Sequence, residues 1–181
     1  MADRLESFMA RWRVPAGFAL GAAYAIFAEP TRPLLIVGSL IALAGLGIRA
    51  YAAGHIEKNR KLAVGGPYAY TRNPLYFGSL LIGLGLVVAG GRWVLALVFV
   101  VFFACFYGPV MGREAANLRS HFGRDYERYA AAVPLFLPYR RPFRVSGERF
   151  EWERYRKNRE YKAALGYLVG IVFLILKILL R

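Results

Sequence analysis

Two short stretches hold the residues best suited to chemistry. In GGPYAYTRNPLYFG, residues 65–78, Arg72 stands among Tyr68, Tyr70 and Tyr76. Asn73 precedes Pro74 and is pushed out of the helical region. Asn is a favoured N-cap and Pro a favoured first helical residue, so RNPLY is expected to begin a helix. A helix start alone needs neither an arginine nor three tyrosines, and their crowding suggests a binding site. In REAANLRSHFGRDYERYAAAVPLFLP, residues 113–138, Leu118, Phe122, Tyr126, Tyr129 and Val133 recur with the period of one helical stripe, which Gly123 could bend. Glu114 lies one turn before Leu118 on that stripe, which aims its carboxylate toward the buried side. A buried carboxylate needs a cationic partner, either a neighbouring arginine or a cationic ligand.

Other reactive side chains are sparse. The two histidines, His55 and His121, are far apart, and the single cysteine, Cys105, lies in an apolar run. These make a weak set of zinc ligands and no disulfide within the chain. There is no glycine-rich phosphate loop and no Ser/His/Asp set. Hydrolytic and metal chemistry are therefore not expected.

The elements that must position these residues are apolar. The chain has 181 residues, 57% of them hydrophobic, with mean hydropathy +0.36. That is greasier than the roughly 45–50% usual for soluble domains. Five segments approach the roughly 20 residues that span a bilayer: about 14–28, 34–54, 74–90, 93–112 and 163–180. Asp3 and Glu6 dilute the basic charge ahead of the first, which reads as an anchored helix rather than a signal peptide. Tight links, EPTRP and GGR, suggest that the first and second segments, and the third and fourth, form hairpins. An all-α, polytopic membrane protein with about five transmembrane helices is expected, as a single domain over 1–181. Its parts are a four-helix membrane core at 13–112, a cytosolic segment at 113–162 and a last transmembrane helix at 163–181.

The net charge of +14 would suggest nucleic acid in a soluble protein. Its distribution argues otherwise. With the amino terminus cytoplasmic, 21 of the 25 Lys and Arg residues face the cytosol. That is the positive-inside bias, with added attraction to anionic headgroups. Nucleic acid is not expected as a partner; membrane lipids are. The charge-dense stretch RVSGERFEWERYRKNREYKAAL reads as a solvated helix with paired charges, or as a lid bringing an arginine or Trp152 onto a ligand.

The two stretches, in this order and one pair of spans apart, resemble the integral-membrane methyltransferases of the isoprenylcysteine carboxyl methyltransferase and phospholipid N-methyltransferase type. The resemblance covers about 49–138. It implies an S-adenosylmethionine site between the turn and the cytosolic ends of the later helices. Carried over residue by residue, Gly66, Pro67, Tyr68, Arg72, Asn73, Pro74 and Tyr76 match the turn, and Gly83 and Gly85 a glycine pair. Glu114 matches the first of two adjacent glutamates, and Tyr126 and Tyr129 the tyrosines that follow FG. The chain departs from the pattern twice. Asn73 replaces a histidine, keeping a donor but no base, and Ala115 replaces the second glutamate.

A sulfonium methyl donor carries the hard chemistry itself, which accounts for the missing nucleophile. Glu114 would pair with the donor's ammonium and Tyr76, or a neighbouring aromatic, would face the sulfonium. The implied acceptor is lipid-like. Arg72 would hold a carboxylate acceptor, or the donor's own carboxylate; His55 or Glu57 would deprotonate an amine; a thiol is a third option. A membrane reductase of the sterol-reductase type and a non-catalytic membrane scaffold remain as alternatives. A prokaryotic plasma membrane is the expected location.

Overall fold

The computed structural model describes residues 2–57, 61–139, 141–143 and 149–180, without the side chains of 2–11, 13 and 14. Among the described residues it is helical, with no strand. The helices are α1 (Ala2–Phe27), α2 (Arg32–Ala53), α3 (Pro74–Ala89), α4 (Trp93–Ala132), α5 (Trp152–Lys157) and α6 (Tyr161–Leu179). All five apolar segments are helical. By length and composition α2, α4 and α6 can cross a membrane, whereas 15–27 and 74–89 are shorter apolar helical stretches. Their outer faces carry exposed Phe18, Leu40, Leu97, Val101 and Val169. So much apolar surface suits a hydrocarbon solvent better than water.

The helices pair only in part as the short links suggested: α3 lies against α4, but the main partner of α2 is α3 rather than α1. The tightest contact joins α2 to α3, across the long 54–73 connection, while α1 lies against α4. Glycines decide this. A Cβ on Gly45 would stand 2.6 Å from the Gly78 carbonyl oxygen, and one on Gly78 2.7 Å from the Gly45 oxygen. Gly38 and Gly85 meet in the same way seven residues further along each helix. In a membrane, where apolar burial does not drive helices together, such backbone approach does. The antiparallel α2–α3 pair is thus the spine of the bundle. Leu174 of α6 fills the space beside Val87, Ala89 and Leu95. At the far end Lys177 donates to the carbonyls of Ala25 and Ile26, a cation at the carboxyl end of α1.

The fourth span does not stop at Gly112. Helix α4 continues as one rod to Ala132, bent at Gly123, where φ is +50° and ψ −123°. Only glycine adopts such a backbone readily. Beyond the bend Tyr126, Tyr129 and Val133 are buried, with Leu118 and Phe122 packed on them, as the stripe foretold.

Candidate active site at one end of the bundle

The turn between α2 and α3 is stitched to the segment that follows α4. The Arg72 amide donates to the Pro134 carbonyl (3.0 Å), the Tyr139 amide to Tyr70 (2.9 Å) and the Phe143 amide to Ala69 (3.0 Å). The Thr71 hydroxyl donates to the Phe136 carbonyl at 2.7 Å. VPLFLP is therefore the strap that fixes the turn, which explains why both stretches occur together. Asn73 serves the same strap. It occupies the N-cap position of α3, but its side chain makes no cap hydrogen bond; its amide nitrogen donates to the Leu135 carbonyl at 2.9 Å. The expected capping role gives way to a tertiary bond.

Gly66 adopts φ +54°, opening a single 3-10 turn over Gly66–Ala69 that presents Tyr68. A Cβ there would also lie 2.7 Å from the His55 ring. Gly66 and Pro67 shape the turn and line no hollow. Tyr68 is buried, and its carbonyl accepts the Tyr129 hydroxyl at 2.7 Å. Arg72 Nη1 donates to the Tyr126 hydroxyl at 2.8 Å, with the guanidinium 5.7 Å from that ring's centre. Tyr126 and Tyr129 thus hold Arg72 and Tyr68 in place.

Two adjoining lobes open at this end of the bundle. The smaller, about 210 Å³, is lined by Arg49, Tyr68, Arg72, Asn73, Tyr76, Glu114 and Glu160, among others. The larger, about 300 Å³, adds Glu57, Leu62, Asn117, Leu118, Phe122 and Tyr129. They share Ile56, Tyr68, Arg72 and Glu114. Such volumes fall where small-molecule sites begin. Across the hollow the Tyr76 hydroxyl donates to Glu114 Oε2 at 3.1 Å. Glu114 is exposed rather than buried, so the stripe does not draw it inward; it faces the hollow.

Two donors in this wall are unsatisfied. Among the described residues the buried Tyr68 hydroxyl and Arg72 Nε have no hydrogen-bond partner. Burial pushes the Tyr68 phenol above its ordinary value, and the nearby Glu114 carboxylate adds to the rise. It stays a neutral donor. A hollow with an exposed carboxylate, a guanidinium and an unpartnered hydroxyl fits a ligand bearing an ammonium and a carboxylate.

Several expected residues line neither lobe, Tyr126 among them. His55 is buried against Tyr51 and Phe150, with Nδ1 2.8 Å from the Tyr51 carbonyl, and lines neither lobe. Gly85 packs on Gly38 and Ala42 of α2. Gly83 faces the Phe99 ring and lines a separate apolar cleft of about 220 Å³ with Gly17, Gly21 and Tyr24. The glycine pair therefore serves helix packing and that cleft. Trp152 is exposed and lines neither lobe.

Two residues were not anticipated. Arg49 Nε and Nη2 donate to Glu160 at 2.9 Å each, and Arg49 Nη1 to the Leu75 carbonyl at 3.0 Å. Arg49 lies within the apolar segment 34–54 and Glu160 within the charge-dense stretch, where neither residue's spacing points to the other.

Comparison with known proteins agrees with this arrangement. Residues 33–125, over half of the chain, match the phospholipid methyltransferase family. A protein-S-isoprenylcysteine O-methyltransferase of Schizosaccharomyces pombe is 33% identical over 100 residues, 55% of this chain and 42% of that one. Protein-S-isoprenylcysteine O-methyltransferase B of Arabidopsis thaliana is 32% identical over 83 residues, 46% of this chain and 42% of that one. The cobalt-zinc-cadmium resistance protein CzcN of Cupriavidus metallidurans is 34% identical over 153 residues, 76% of this chain and 69% of CzcN. The chain thus matches less than half the length of the two named methyltransferases. No solved structure is a significant match. With the turn and Glu114 inside the matched region and the strap just beyond it, the chain belongs to the phospholipid methyltransferase family.

Proposed function

We propose that this chain is a membrane methyltransferase that moves a methyl group from S-adenosylmethionine to a lipophilic acceptor at the cytosolic face. The observation that carries the reading is the convergence of Glu114, Tyr76, Arg72 and the unpartnered Tyr68 hydroxyl on one hollow. Family membership favours it over the reductase and scaffold readings. The cytosolic assignment follows the basic residues, which concentrate in the loops at the hollow's end of the bundle.

When bound, S-adenosylmethionine would supply an electrophilic methyl group, so the chain needs no nucleophile of its own. Glu114, oriented by Tyr76, holds the ammonium. Arg72, braced by Tyr126, turns its free Nε to a carboxylate. The Tyr68 hydroxyl gains the hydrogen bond it lacks. Glu57, whose carboxylate lies 3.7 Å from Arg154, borders the larger lobe. Holding the donor still and away from water is the chain's main contribution.

The acceptor is best read as a lipophilic carboxylate. Neither histidine lines the hollow, and Glu57, which borders the larger lobe, has its carboxylate beside Arg154, whereas an ionised carboxylate acceptor needs no base. Two relatives named as isoprenylcysteine O-methyltransferases agree in kind. Tyr76 stands edge-on to Tyr107, which stacks on Phe103, and this run of rings leads from the hollow into the apolar zone as a path for a hydrocarbon tail.

The test is transfer of labelled methyl from S-adenosylmethionine to a prenylated cysteine analogue and to a lipid amine, using purified protein in lipid. Label released as methanol by mild alkali marks an ester and supports the carboxylate. Alkali-stable label marks an amine and replaces that acceptor. No transfer to either, with no binding of the donor, overturns the methyltransferase reading.

A further inference from the structure

The ion pair between Arg49 and Glu160 stands in the wall of the smaller lobe. Both side chains line it with Glu114 and Tyr76, and they are 20% and 9% exposed. The pair is carefully built. Arg49 comes from the carboxyl end of α2 and is anchored on Leu75, the residue before Tyr76. Glu160 follows Arg159, whose φ of +54° turns the chain between α5 and α6. Asn158 clamps that turn to α2, donating to the Ala53 carbonyl at 3.0 Å and the Ile56 carbonyl at 3.3 Å. A pair serving only to join two helices would not need to face a ligand hollow.

We propose that the mutual neutralisation of this pair keeps the hollow from being biased toward either the charged methyl donor or its neutral product. The proposal rests on the hollow being the donor site. Donor and product share the nucleoside and the amino-acid part; they differ by one methyl group and one positive charge at sulfur. Any fixed charge near the hollow therefore acts on their ratio, whatever else it holds. The pair's field does reach the hollow. At the buried, unpartnered Tyr68 hydroxyl, Glu114 and Glu160 both oppose ionisation and Arg49 favours it. Glu160 thus favours the sulfonium and Arg49 disfavours it, while their bidentate contact keeps the wall near neutral. Losing either partner would leave one unopposed charge, which the donor's sulfonium feels and the uncharged product does not.

The test is calorimetric titration of the full chain in lipid nanodiscs with S-adenosylmethionine and S-adenosylhomocysteine. E160Q keeps the shape and removes the negative charge; it is expected to lower the donor-to-product affinity ratio by about tenfold. R49Q is expected to raise the same ratio by about as much, since only the opposing positive charge is gone. The double variant R49Q/E160Q, which leaves no unpaired charge, returns the ratio to near the wild-type value, and it keeps the test valid should either single variant fold poorly. Wild-type protein that binds both ligands, with variants that leave their ratio unchanged, overturns this proposal alone. Wild-type protein that binds neither overturns the donor reading and this proposal with it.

Discussion

The Tyr76 hydroxyl donates to Glu114 Oε2 at 3.1 Å, joining the first turn of α3 to α4 across 38 residues of sequence. One partner comes from each of the two stretches whose chemistry stood out, and the contact crosses the hollow between them. Y76F is expected to weaken S-adenosylmethionine binding about fivefold, the scale of one hydrogen bond to a charged group at an exposed site. The melting temperature without ligand should stay put, because Glu114 is exposed.

Tyr68 separates stability from function. Its hydroxyl is buried without a partner, which costs the protein free energy and gains it nothing until a ligand arrives. Y68F should leave the ligand-free melting temperature unchanged or slightly raised. It should lower donor affinity by about tenfold, the cost of one lost buried hydrogen bond. Thermal shift with and without S-adenosylmethionine reads both.

Alkaline pH should loosen the site. Burial pushes the Tyr68 and Tyr129 phenols above their ordinary 10.0, with the Arg72 guanidinium opposing the shift at Tyr129. A phenol raised in this way contributes its stability below the unfolded value and loses it as pH climbs past that value. Melting temperature should hold between about pH 7 and 9 and fall above about 10. Y129F, which removes the 2.7 Å bond to the Tyr68 carbonyl, should cost about 1 kcal/mol at neutral pH and make the alkaline fall shallower.

Gly83 and Gly85 of α3 should behave differently. A Cβ on Gly85 would collide with the Gly38 carbonyl oxygen and stand 2.6 Å from the Ala42 amide, backbone that cannot move without parting the helices. A Cβ on Gly83 meets only the outer edge of the Phe99 ring, which can turn. G85A should destabilise by about 2 kcal/mol or more and lower yield, and G83A by clearly less. Size-exclusion profiles and melting curves in detergent distinguish them.

Much of this was written where physics acts locally. The five helices followed from runs of apolar residues, the start of α3 from Asn73 and Pro74, and the docked end of α4 from a stripe at helical spacing. Contacts between distant elements were not legible. Short links suggested two hairpins; α3 does meet α4, yet backbone approach at Gly38, Gly45, Gly78 and Gly85 made α3, not α1, the main partner of α2. Glu160 and Arg49 stand 111 residues apart, in a chain with so many arginines that no pairing could be singled out. Asn73 could have capped its helix through Oδ1, but its Nδ2 donates to a strap carbonyl and the side chain makes no cap bond. His55 looked reactive because histidine often is; burial beside Tyr51 and Phe150 took it out of reach.

The central claim is that Glu114 holds a cationic methyl donor in this hollow. Calorimetric titration of purified wild-type and E114Q protein with S-adenosylmethionine tests it most directly. Binding by the wild type, weakened at least about tenfold in E114Q at an unchanged melting temperature, is the predicted result. Equal affinity in the two proteins, or none in the wild type, would contradict it.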